Sequence, residues 1–74
     1  MEKEELLNNR KKIGKQIRLL RRKKKLSSDE LGLTTGVNPS LIRRIERGES
    51  STGIDLYYQL LKALGAEFII KEDI

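Results

Sequence analysis

The chain has 74 residues, neither Cys nor His, and a formal charge of +5 at pH 7. A chain this short forms one small domain that buries only roughly 60% of its unfolded surface. With no disulfide or metal site to reinforce that core, self-association is the remaining remedy, so a homodimer is expected. The same absences leave Ser, Thr, Lys, Tyr and carboxylates as the only candidate bases or nucleophiles, and none pairs in a recognisable motif. The expectation is therefore no enzyme, no metal, no cofactor and no small-molecule ligand. Lack of Cys fits the reducing cytoplasm, no apolar run nears the ~20 residues that span a bilayer, and the charged N-terminus lacks the apolar core of a secretory signal. A soluble cytoplasmic protein without a membrane partner is expected.

The periodicity predicts an all-α chain of five helical stretches with a short C-terminal strand. Leu6, Ile13, Ile17 and Leu20 form a first apolar stripe, with Glu2, Glu4 and Glu5 at its start and Lys23, Lys24 and Lys25 at its end, which suits the helix dipole. Helix is expected from about residue 4 to 24. Asn8, Asn9 and Gly14 are poor helix formers, so residues 1–12 read as an extension that is separate or frays. A second helix starts after Leu26, capped by Ser27 or Ser28 and carrying Asp29 and Glu30 in its first turn, and ends near Thr34. Gly32 inside so short a helix points to another backbone approaching closely, and Gly36 supplies a left-handed turn.

The third helix opens with Asn38 as N-cap and Pro39 at its first position, where a missing N–H is harmless, and stops at Gly48. Val37, Leu41 or Ile42, and Ile45 face inward. Pro39, Ser40, Arg43, Arg44 and Arg47 point elsewhere. Thr52 and Asp55 form a capping pattern for a further helix, whose stripe of Ile54, Tyr57, Leu61 and Leu64 runs to Gly65 and makes Tyr57 a core ring. In residues 66–74 the period changes to alternation, so Phe68, Ile69 and Ile70 read as a strand. A lone strand needs a partner, and the same segment of a second subunit would pair with it across a twofold axis. A loose tail lying on its own helices is the simpler alternative.

Residues 28–47 thus have the layout of a helix-turn-helix: two short helices around Gly36, the second with three arginines on its outward side. The usual use of such a second helix is insertion into the major groove of double-stranded DNA. Residues 10–25 hold ten Lys or Arg and no acid, whereas residues 26–74 net −3. A basic run of this kind makes a solvated helix face in any protein. Beside a groove-reading unit it also lies along phosphates and releases counterions, giving affinity without sequence information. RNA or an anionic membrane surface would use the same charge.

Residues 13–65 resemble the XRE-type, lambda-repressor-like helix-turn-helix domains of bacterial and phage regulators. The resemblance is carried by IRLLR at 17–21, LSSDELG at 26–32, GVNPSLIRRIERGES at 36–50 and LLKALG at 60–65. It implies a compact five-helix domain, dimeric binding to an inverted repeat, and repression of transcription. Arg21 and Glu46 match a structural pair tying the first helix to the recognition helix. Gly36 matches the turn glycine, and Gly32 replaces the family's Ala at a tight crossing. Base contacts fall on Arg44, Ser40, Pro39 and Arg43. Arg44 leads these, because a guanidinium donates two bonds to guanine, whereas Pro39 offers only apolar contact, for instance to a thymine methyl.

Phosphate contacts fall on Ser28, Asn38, Arg47, Lys25 and Arg18, with Ser28 standing where the family has a longer Gln. Leu33 and Leu41 match no DNA contact and read as a protein interface. The strand at Phe68, Ile69 and Ile70 resembles the dimerising strand of small antitoxins whose toxin is a kinase-like protein. On that resemblance the alternative function is an antitoxin that holds a toxin partner and autoregulates its operon.

Overall fold

The computed structural model of the chain describes residues 3–67, which fold into α1 (Lys3–Lys23), α2 (Ser28–Thr35), α3 (Pro39–Glu46) and α4 (Ile54–Ala63). All four elements are helical, and among the described residues there are four helices where five were expected. The missing break is at the N-terminus, where α1 runs through Asn8, Asn9 and Gly14 without interruption. The expected strand at Phe68, Ile69 and Ile70 lies outside the described residues.

Gly14 explains how α1 tolerates a poor helix former. A Cβ built there would clash with the backbone carbonyl of Ile45 and sit 2.7 Å from that of Glu46. The glycine lets α1 lie directly on the C-terminal end of α3, and that packing offsets a propensity deficit of about 1 kcal/mol. Glu4 and Glu5 in the first turn, and Arg21, Arg22 and Lys23 in the last, complement the dipole as expected.

Each helix ends on a residue with left-handed backbone. Three of these are glycines, Gly36, Gly48 and Gly65, and the fourth is Lys25 at φ 58°. After α1 the N–H of Leu26 donates to the Arg21 carbonyl (3.1 Å) and that of Lys25 to Arg22 (2.9 Å), a Schellman closure. A lysine in this conformation carries a Cβ penalty of roughly 1 kcal/mol. Its sequence gives no sign of it.

α2 begins with a capping box in which Ser27, not Ser28, is the N-cap. The Glu30 N–H donates to Ser27 Oγ and the Ser27 N–H donates to Glu30 Oε1, both at 3.0 Å. At the start of α3 the Ser40 N–H donates to Asn38 Oδ1 at 2.8 Å, with Pro39 following the cap. α4 departs from expectation, since its N-cap is Gly53 with no side-chain hydrogen bond, and Thr52 plays no capping part.

The core gathers one face of every helix: Ile17 from α1, Leu31 from α2, Val37 from the turn, Ile42 and Ile45 from α3, and Leu60 and Leu64 from α4. Of the alternatives on α3, Ile42 is fully buried and Leu41 is half-buried. Two expected core positions fall outside, because Ile54 is 66% exposed and Leu6 is 42% exposed. Leu60, outside the expected stripe, is fully buried on α4. Tyr57 packs at the core edge, whereas Tyr58 is exposed.

Replacing Gly14 by Ala should destabilise the fold by about 1–3 kcal/mol in denaturant unfolding, since two backbone carbonyls must move aside. Lys12→Ala, on the exposed side of the same helix, should change stability by less than about 0.5 kcal/mol.

Candidate nucleic-acid interface

The site is organised by Arg21. Its Nε donates to Glu46 Oε2 at 2.7 Å, its Nη2 to Glu46 Oε1 at 2.9 Å, and its Nη1 to the carbonyl of Leu26 at 2.8 Å. One guanidinium thereby joins α1, the segment leading into α2, and the last residue of α3. The pair is largely out of solvent, with the arginine side chain 14% and the carboxylate 6% exposed. Fork-to-fork geometry of this kind fixes orientation as well as distance. Hydrogen bonding to Glu46 is the main reason the guanidinium's affinity for its proton is raised, with burial opposing and the carboxylate's charge assisting. Because the shift is upward, the stabilisation it represents is complete below the ordinary arginine value and is lost only above it. Arg21 therefore does not titrate out of the pair at neutral pH.

Around this pair the chain opens a cleft of about 220 Å³ lined by Arg18, Arg21, Ser28, Arg43, Glu46 and Arg47. Ser28 is the first residue of α2, so the cleft has a helix N-terminus on one side and exposed guanidiniums on the others. Such a place favours an anion. Besides Arg21, two of these arginines have acidic neighbours: Arg43 Nη1 lies 3.7 Å from Asp29 Oδ1, and Arg47 Nε lies 2.6 Å from Glu49 Oε2. All four of those side chains are about half exposed or more, so the pairs contribute little to stability and yield readily to another anion. The local pairing of Arg47 with Glu49 could have been anticipated from their separation of two residues. That of Asp29 with Arg43 could not, because it depends on how α2 meets α3.

Ser40, Arg43 and Arg44 are exposed on α3, and Arg47 is exposed just past its end. Among the described residues Arg44 makes no ion pair, which leaves its guanidinium available. Pro39 is half-buried, and Asn38 spends its side-chain oxygen on the helix cap. These two residues belong to a separate groove that also includes Gly32, Leu33 and Val37, so the structure divides the expected contact residues between two places. Lys25 is exposed in the turn after α1 and does not line the arginine cleft. Phe68, Ile69 and Ile70, expected to dimerise, lie outside the described residues. No cluster of metal-ligating side chains occurs among the described residues, and no helix there is long and apolar enough to cross a membrane.

An arginine-bearing helix set behind a tight turn and pinned by a part-buried ion pair defines a helix-turn-helix domain. The family model described as Helix-turn-helix matches residues 17–69. The chain belongs to that family, in its XRE type, a family of DNA-binding regulatory domains whose members are not typically enzymes. The match supports DNA as the partner and regulation of transcription as the role. No curated protein and no solved structure matches the chain.

Arg21→Ala should cost about 3 kcal/mol of stability, because it leaves the Glu46 carboxylate buried without its counter-charge. Arg21→Lys should recover only part of this, since an ammonium cannot reproduce the fork. Equilibrium unfolding of the two variants checks both statements.

Proposed function

We propose that the chain binds an inverted-repeat operator in double-stranded DNA as a homodimer, with α3 in the major groove, and represses transcription from that site. The observation that carries this reading is the α3 surface, where Arg44 stands exposed and unpaired on a helix whose C-terminal end is locked by the pair of Arg21 and Glu46. Arg44 is assigned to base reading, because its two parallel donors match guanine O6 and N7. Ser40 and Arg43, exposed beside it, bond to bases or phosphates according to the register of the helix.

Arg18, Ser28 and Arg47 are assigned to a phosphate seated in the 220 Å³ cleft. That phosphate displaces Glu49 from Arg47 and draws Arg43 from Asp29, a favourable exchange because a half-exposed carboxylate is bound weakly. The basic run along α1 adds affinity that is independent of sequence. Asn38 and Lys25 contribute less directly, the first by shaping the start of α3 and the second through its exposed ammonium.

Dimerisation is assigned to Phe68, Ile69 and Ile70. In a twofold dimer the two α3 helices read half-sites centred about one helical turn, ~34 Å, apart. Deleting residues 66–74 should leave a folded but mostly monomeric chain with much weaker affinity for a palindrome, as read by sedimentation and gel shift. A truncated chain that still dimerises unchanged would overturn the strand assignment.

The decisive test of base reading compares specific and random duplexes. Arg44→Ala should lower affinity for the operator by about 1–3 kcal/mol and relax preference at one base pair, with little change on random DNA. A single Lys→Ala change within residues 10–25 should weaken all sequences alike and reduce the salt slope by about one. Equal losses for Arg44→Ala on both duplexes would remove its assigned role.

A further inference from the structure

Beside the arginine face lies an open, largely apolar groove of about 610 Å³ between α2 and the start of α3, whose lining includes Gly32, Leu33, Val37 and Pro39. Its chemistry differs from the cleft around Arg21, since its only acidic member is Asp29 and it holds no basic side chain. Two of its residues are unusual. Leu33 is 87% exposed, so it contributes nothing to the core. Pro39 occupies the first position of α3, where it offers neither a backbone N–H nor a polar side chain.

Pro39 is also held in place. A Cβ at Gly32 would lie 2.9 Å from Pro39 Cγ and 2.7 Å from the Val37 carbonyl oxygen, so the absence of a side chain there lets the ring seat against α2. Cγ and Cδ of the ring lie toward Gly32, and Pro39 lines the groove together with Leu33. Ser40, the next residue, is exposed on the face assigned above to DNA. Asp29, which lines the groove, lies 3.7 Å from Arg43 Nη1 of the arginine cleft, so the groove adjoins the face assigned to DNA.

Resting on that reading, we propose that Leu33 and Pro39 form an apolar notch that reads the C5-methyl group of thymine at the edge of the operator half-site. In the major groove the thymine methyl is the one apolar mark a base pair presents, and an apolar side chain is the group that discriminates it. Burying a methyl here also covers the exposed leucine, which otherwise faces water to no benefit. The division of labour is then clear: Arg44 selects guanine by hydrogen bonds, and the Leu33–Pro39 notch selects thymine by contact alone. Leu33, which its sequence resemblance left for a protein interface, belongs on this account to the DNA surface.

The test uses a duplex selected by the full chain from random DNA. Each thymine in a half-site is replaced in turn by deoxyuridine, which keeps its base pairing and loses only the methyl. One or two positions should bind about fourfold more weakly, the equivalent of roughly 0.8 kcal/mol for one buried carbon. The same replacement should have little effect on Leu33→Ser and Pro39→Ser, once circular dichroism shows both variants folded, while Leu33→Met should retain the penalty. Specific binding that is indifferent to deoxyuridine at every position overturns the notch and leaves the operator reading intact. A penalty that persists unchanged in both serine variants also overturns it, by assigning the methyl contact elsewhere. Unaltered operator affinity in Leu33→Ser would return the groove to a protein partner. Failure of the chain to select any sequence would instead defeat the DNA reading on which the notch rests.

Discussion

The Arg21 guanidinium spends three of its donors on two residues that lie far apart in sequence, the Glu46 carboxylate and the Leu26 carbonyl. Everything that α3 can present to DNA depends on this arrangement. α3 is only eight residues long, too short to hold its direction by its own hydrogen bonds. Two of its side chains, Ile42 and Ile45, anchor it in the core, but apolar contact alone permits sliding and rotation. The bidentate pair removes that freedom at the C-terminal end, and Gly14 brings α1 close enough for the pair to form against a backbone already in contact.

Charge is apportioned along the same lines. The strongly basic stretch lies on α1, while Arg43 of α3 sits beside Asp29 of α2 and Arg47, just past α3, beside Glu49. Asp29 and Glu49 keep Arg43 and Arg47 from being wholly unpaired in the free chain, yet their exposure leaves these pairs open to exchange. Glu46 differs in kind: its side chain is only 6% exposed and its pairing is bidentate, so a phosphate does not compete for Arg21 on equal terms. Glu46 thus sets geometry, while Asp29 and Glu49 set a threshold for anion binding.

Local chemistry was the most legible part of the sequence. The turn at Gly36, the Asn38–Pro39 opening of α3 and the stop at Gly48 are each encoded by residues adjacent in the chain, and each fixes a helix end. What depends on distant neighbours was not legible. Gly14 read as a weak point in a helix, because nothing nearby reveals that the carbonyls of Ile45 and Glu46 occupy the space beside it. Lys25 carries no mark of its left-handed backbone, and the Thr52–Asp55 pattern suggested a cap that the chain does not use. The relation between Arg21 and Glu46 spans 25 residues, so only resemblance to a family could suggest it. On α4 the stripe holds at Tyr57, Leu61 and Leu64, but Ile54 at the helix start is exposed and Leu60 is buried.

A structure of the chain bound to the duplex it selects tests the central claim most directly. The account predicts α3 lying in the major groove, Arg44 donating to guanine O6 and N7 at about 2.7–3.2 Å, and the Arg21–Glu46 fork unchanged beneath it. Finding α3 outside the groove, or Arg44 turned toward a partner subunit while other residues touch the bases, would contradict it.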